Sequence, residues 1–185
     1  KEQRKYDKAV ECLNNSLELL MDQDIKNFMK IGTHFMHIGL IFAIKNEFKQ
    51  AEFNFECALK AIKNEKKGGI KEVILIHGYL GFVYEQKSEP RKAIKSYFTG
   101  ITYYNKFKKK DLSVEIRSLL SSLNNFMLNL NDFKSSLKLA QRAINIPKKK
   151  SLNGNEISNF NRKILRANTA MDKFQFCGKN SIEAV

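Results

Sequence analysis

The stretch GTHFMHIGLIFAIKNEFKQAEFNFECALKA, residues Gly32 to Ala61, decides the fold. Its first half places Phe35, Ile38 and Phe42 three and four residues apart, which is the spacing of one face of an α-helix. Asn46 and Glu47 interrupt the pattern, and Ala51, Phe55 and Ala58 then resume it. Two helices joined by so short a connection are antiparallel neighbours. Gly39, Ala51 and Ala58 are small, and each stands beside a bulky residue. That combination lets two helix axes approach to about 8–10 Å, with the large side chains filling the grooves left over.

The same pattern recurs along the chain. RKYDKAVECLNNSLEL from Arg4, NEFKQAEFNFECALKA from Asn46, SEPRKAIKSYFTGITY from Ser88 and NDFKSSLKLAQRAINI from Asn131 align at successive offsets of 42, 42 and 43 residues. Ala9, Ala51, Ala93 and Ser136 share one small position, and seven residues on Ser16, Ala58, Gly100 and Ala143 share a second. Tyr6, Phe48, Pro90 and Phe133 precede the first by three. The preceding segment repeats as well, through Ile38-Gly39, Leu80-Gly81 and Leu123-Asn124, followed by Phe42, Tyr84 and Met127. A period in this range marks stacked helical hairpins, each burying its apolar face only against its neighbours.

On these residues the chain resembles the tetratricopeptide repeat (TPR) family. In that family a bulky residue, a Leu-Gly pair and a Tyr on helix A meet an Ala, an aromatic and a second Ala on helix B. Here those places hold Phe35, Ile38, Gly39, Phe42, Ala51, Phe55 and Ala58, then His77, Leu80, Gly81, Tyr84, Ala93, Tyr97 and Gly100. A third unit, Leu120, Leu123, Asn124, Met127, Ser136, Ala140 and Ala143, is degenerate, and the family's closing proline is represented by Pro147, one place early. A 42-residue period exceeds the usual 34 by about two helical turns, so each helix is expected to reach roughly 18 residues, or about 27 Å. Extended repeats of this kind are similar to those of kinesin light chains, cell-polarity adaptors and bacterial peptide-pheromone receptors.

The resemblance implies an all-α fold, a right-handed α-α superhelix of about three hairpins with flanking helices. One domain is expected over 1–176: a lone helix B at 1–21, repeats at 24–65, 70–108 and 111–146, a capping helix at 156–176, and a tail at 177–185. The helix A that would partner 1–21 is expected to precede Lys1 in a longer protein. Within the repeats, Asp22 or Asp24 is expected to cap the first helix A. Gly68-Gly69 should break the chain between hairpins, and Ser88 should cap the helix that Pro90 opens.

Composition agrees with a folded helical chain. Of 185 residues, 43% are hydrophobic and 28% charged, with two prolines and nine glycines. Cys12, Cys57 and Cys177 are widely spaced and odd in number, which argues against a disulfide framework or a cysteine-built zinc site and suits a reducing, cytoplasmic setting. No apolar run is long enough for a transmembrane helix, and no apolar stretch follows Lys1 as a signal sequence would. The 33 Lys and Arg against 19 Asp and Glu leave a net charge of +14, which favours acidic partners.

The resemblance directs attention to the helix A faces, which in that family line a concave peptide groove. Its positions here are Met36, His37, Leu40 and Ile44, then Tyr79, Phe82 and Gln86, then Ser122, Asn125 and Asn129. The bland reading of Met36, Leu40 and Phe82 is core packing. A second candidate is a basic ridge of inter-repeat lysines, Lys66 and Lys67, Lys108, Lys109 and Lys110, and Lys148, Lys149 and Lys150. Such a ridge suits an acidic protein or another polyanion. Nucleic acid ranks below protein, because lysine without arginine or aromatic neighbours reads bases poorly.

Nothing in the sequence calls for catalysis, a metal or a cofactor. His34 and His37 are three apart but lack a completing carboxylate or cysteine. Cys57 reads as a buried small hydrophobe, and no nucleophile elbow, P-loop or dinucleotide turn is present. The expected function is a non-catalytic scaffold binding a peptide or helix of a partner protein. A peptide-sensing regulatory receptor and a polyanion-binding adaptor are the alternatives.

Overall fold

The computed structural model describes residues 2–22, 27–63, 69–107, 112–132, 134–136, 138–139 and 162. The protein is all-α, with no strand among the described residues. The helices are α1 (Glu2–Met21), α2 (Phe28–Ile44), α3 (Phe48–Lys63), α4 (Ile70–Gln86), α5 (Pro90–Phe107) and α6 (Ser113–Asn129). Residues 134–136 and 138–139 are helical too. Most of the expected last helix B, the 156–176 helix and the tail lie outside the described residues, as does the whole lysine ridge. The chain divides into two compact units, Lys1–Phe107 and Lys108–Val185.

In the first unit α2 packs on α3 and α4 on α5, with α1 against α2, α3 against α4, and α2 touching α4. The small residues lie at the crossings: Ala51, Ala58 and Ala93 are fully buried, as are the aromatic rings of Phe55 and Tyr97 beside them. One core cluster joins Ala51, Phe55 and Ala58 of α3 to Ile76, Leu80 and Val83 of α4, so the hairpins share their interior. Gly39 shows why the small residues are needed. A Cβ there would stand 2.8 Å from the Phe55 ring, and one at Gly81 would stand 2.5 Å from the Tyr97 ring.

The turns inside the hairpins follow one rule. Asn46, Ser88 and Asn131 take φ of 61°, 57° and 60°, the left-handed conformation that ends a helix. The next amides, of Glu47, Glu89 and Asp132, donate back to the carbonyls of Phe42, Tyr84 and Met127 at 2.9 Å. The carbonyls of Glu47, Glu89 and Asp132 then accept from the amides of Ala51, Ala93 and Ser136, opening the next helix. Ser88 is therefore the left-handed stop of α4, not the cap of α5, because two residues must both end one helix and start the next. Asn27 corrects the expected cap of α2 as well: its side chain accepts from the Lys30 amide at 3.0 Å, whereas Asp22 lies at a bend beyond α1 and Asp24 is outside the described residues.

The second unit solves the same crossing with different atoms. Asn124 stands where Gly39 and Gly81 stand in the other repeats, and Ser136 where Ala51 and Ala93 stand. Both are fully buried, and the Ser136 hydroxyl donates to Asn124 Oδ1. Ser136→Ala should strand that buried carbonyl oxygen and lower stability by about 1–3 kcal/mol. Chemical denaturation of Ser136→Ala, Asn124→Gly and the double variant checks this. The double variant restores the glycine–alanine crossing and should lose less than the two single losses added together.

Candidate functional site

The groove positions fall into three rows that share the repeat register. His37, Tyr79 and Ser122 form one, Leu40, Phe82 and Asn125 the second, and Ile44, Gln86 and Asn129 the third. The first two members of each row lie on α2 and α4 of the first unit, and the third lies on α6 of the second. On α2 and α4, Ile44 is 58% exposed and Phe82 45% exposed, Leu40 is half-buried, and His37 and Gln86 face solvent. Met36 is only 7% exposed and belongs to the core cluster. Tyr79 is half-buried because its ring stacks on Phe55 at 5.7 Å between centroids. On α6, Ser122 is half-buried, and Asn125 and Asn129 are exposed.

Other apolar side chains are exposed on the B helices, notably Phe53 on α3 and Phe98 on α5. They do not recur: one repeat on from Phe53 is Lys95, and one repeat back from Phe98 is Glu56. The Leu40–Phe82 row does recur, and on adjacent helices. Among the described residues Leu40 packs in part against the core cluster, so Phe82 carries most of the exposed apolar surface of that row.

The helix A ends are fixed by ion pairs that the sequence reading missed. Lys45 meets Glu47 at 2.8 Å and reaches across to Asp7 of α1 at 2.9 Å. Lys87, one repeat later, meets Glu89 at 3.1 Å and reaches to Glu52 of α3. Each ammonium also sits 5.6 Å from an aromatic centroid, Phe42 for Lys45 and Tyr84 for Lys87. The hydrogen bonds of Glu47 and then Asp7 hold the Lys45 pKa above its ordinary value, as that of Glu52 does for Lys87. These lysines tie one hairpin to the helix before it. The signal was legible, since Lys45 and Lys87, and Glu47 and Glu89, are each 42 residues apart.

The histidines serve packing and polarity. His34 Nδ1 lies 2.8 Å from the Lys30 carbonyl, which can only accept, so the proton sits on Nδ1. Its Nε2 then accepts from the Ser16 hydroxyl at 3.0 Å, fastening α2 to α1. No cluster of three His, Cys, Asp or Glu side chains occurs among the described residues. His77 is half-buried, and burial lowers its pKa to about 4, so its ring is neutral at pH 7. Cys57 is only partly buried, in contrast to the expectation, and partial desolvation raises its thiol pKa.

The chain is similar in structure to BtubC (BKLC) from P. vanneervenii: the TM-score is 0.79 at 15% identity, over 94% of this chain and 69% of that one. No protein-family model matches the sequence, and no curated protein does. At this identity the likeness concerns the all-α fold alone. None of the helices among the described residues is long and apolar enough to cross a membrane.

Proposed function

We propose that the chain is a non-catalytic interaction module of tetratricopeptide type, whose stacked A helices hold an extended or helical peptide of a partner protein. The observation that supports this reading best is the in-register apolar pair on α2 and α4, Leu40 half-buried and Phe82 exposed one repeat later, with Ile44 exposed one turn beyond Leu40. Exposed apolar side chains that recur in register on adjacent helices are the form a helix- or peptide-binding surface takes. The ion pairs of Lys45 and Lys87 favour a preformed surface, which lowers the ordering penalty of binding.

The test is selection of peptides from a random display library on the immobilised chain, followed by affinity measurement on three variants. Leu40→Asp with Phe82→Asp should weaken the selected peptides at least about tenfold, as loss of apolar anchors does. Phe98→Asp on α5 should leave them unchanged. Equal binding to wild type and to the Leu40/Phe82 variant would refute the proposal.

A further inference from the structure

A cavity of about 300 Å³ opens where the end of α3, the start of α4 and the end of α5 converge. Leu59, Ile62, Ile70 and Val73 supply aliphatic walls. Tyr103 and Phe107 supply aromatic ones, with ring centroids 6.2 Å apart, and the His77 ring lies 6.3 Å from that of Tyr103. This lining is apolar in the main, yet three features of it are electropositive or polar.

The first is Lys63, which lines the cavity while remaining exposed. The second is the start of α4. Gly69 caps that helix in the left-handed conformation, at φ 80°, and has no side chain to accept from the amides of the first turn. Those amides bring the positive end of the helix to the cavity wall, where Glu72 of the same first turn offsets part of the charge and leaves Lys63 as the principal cation. The third is His77: its Nδ1 is buried without a hydrogen-bond partner, and no carboxylate is among the described residues that line the space. A buried polar atom left unpaired is uncommon enough to require a reason.

Aliphatic and aromatic walls with a lysine and a helix start at one end match a molecule with an apolar body and one negative charge. The volume narrows the choice further. A dry cavity of roughly 150 Å³ holds a benzene ring, so this one suits a single ring or a short acyl chain with a carboxylate arm. We propose that this cavity is a binding site for a small amphipathic carboxylate, its apolar body between Val73 and Tyr103 and its charge toward Lys63 and the α4 start. The site is separate from the Leu40–Phe82 strip and stands or falls independently of it.

Titration of the ¹⁵N-labelled full chain with phenylacetate, and separately with phenylacetamide, tests the assignment by two-dimensional NMR. Phenylacetate should produce saturable shifts in the amides of Ile70 to Val73 and in the His77 ring. It should bind at least about fivefold more tightly than the neutral amide, a modest value for a charge at a helix start with a lysine nearby. Lys63→Glu, at an exposed position, should erase that preference while leaving phenylacetamide binding intact. Ile70→Trp should fill the space and abolish both. No saturable shift with either compound, equal affinities for the two in wild type, or an undiminished preference in Lys63→Glu would overturn the proposal. The Lys63→Glu arm decides the matter even where Ile70→Trp perturbs folding.

Discussion

Tyr97→Ala is expected to lower the unfolding free energy by about 3–5 kcal/mol, the usual loss for a fully buried aromatic side chain. Tyr97 is completely buried, and its ring lies over the Gly81 backbone at the α4–α5 crossing. Its hydroxyl donates to the Glu85 carboxylate, whose pKa is raised by partial burial even with that hydrogen bond in place. Removing the side chain thus opens a void and leaves a partly desolvated carboxylate without its donor. Tyr97→Phe separates the two contributions and should lose only about 1 kcal/mol. Denaturant unfolding followed by far-ultraviolet circular dichroism measures both. A loss below 1 kcal/mol in Tyr97→Ala would mean that the crossing is not the structural element described.

Acidification is the second large effect. The His77 pKa of about 4 in the folded chain compares with an ordinary 6.5, and burial is the cause. Below 6.5 the unfolded chain takes up a proton at this site that the folded chain refuses, so stability falls with pH through the interval from 6.5 to 4. A difference of about 2.5 pH units corresponds to a loss on the order of 3 kcal/mol by pH 4. Urea midpoints measured from pH 7 to pH 4 should decline in wild type and decline less in His77→Phe. Parallel declines in the two proteins would assign the acid sensitivity to other groups.

Much of the fold was legible because close packing constrains residue size. Ala51, Ala58 and Ala93 had to be small for their helices to cross, and they are fully buried at those crossings. Asn124 and Ser136 look like decay of the motif in sequence, yet they form a buried hydrogen bond that takes over the same contact. That exchange was hidden because size patterns do not show polar pairing. The sequence also places Ala140 where Phe55 and Tyr97 stand in the other repeats, a position outside the described residues.

Helix boundaries were harder. Asp22, Asp24 and Asn27 are all competent caps within six residues, and local chemistry does not rank them. Ser88 misled for a related reason: serine before proline suits a cap, but the repeat needs a left-handed residue there, as Asn46 and Asn131 show. Of the candidate site, Ile44 and Phe82 are exposed, whereas the burial of Met36, the packing of Leu40 against the core and the stacking of Tyr79 on Phe55 depend on partner helices that spacing alone does not place. The cavity near His77 left no periodic trace. Its walls come from three helices at unrelated offsets.

The proposal that the A helices carry the binding surface is tested most directly by photo-crosslinking with a display-selected peptide. A benzoylphenylalanine is placed at Phe82 on α4 in one protein and at Phe98 on α5 in another, two sites of equal exposure, 45%, on the two helices of the same hairpin. Crosslinking to the peptide from position 82 and not from position 98 is the expected result. Crosslinking from position 98 with none from position 82 would contradict it.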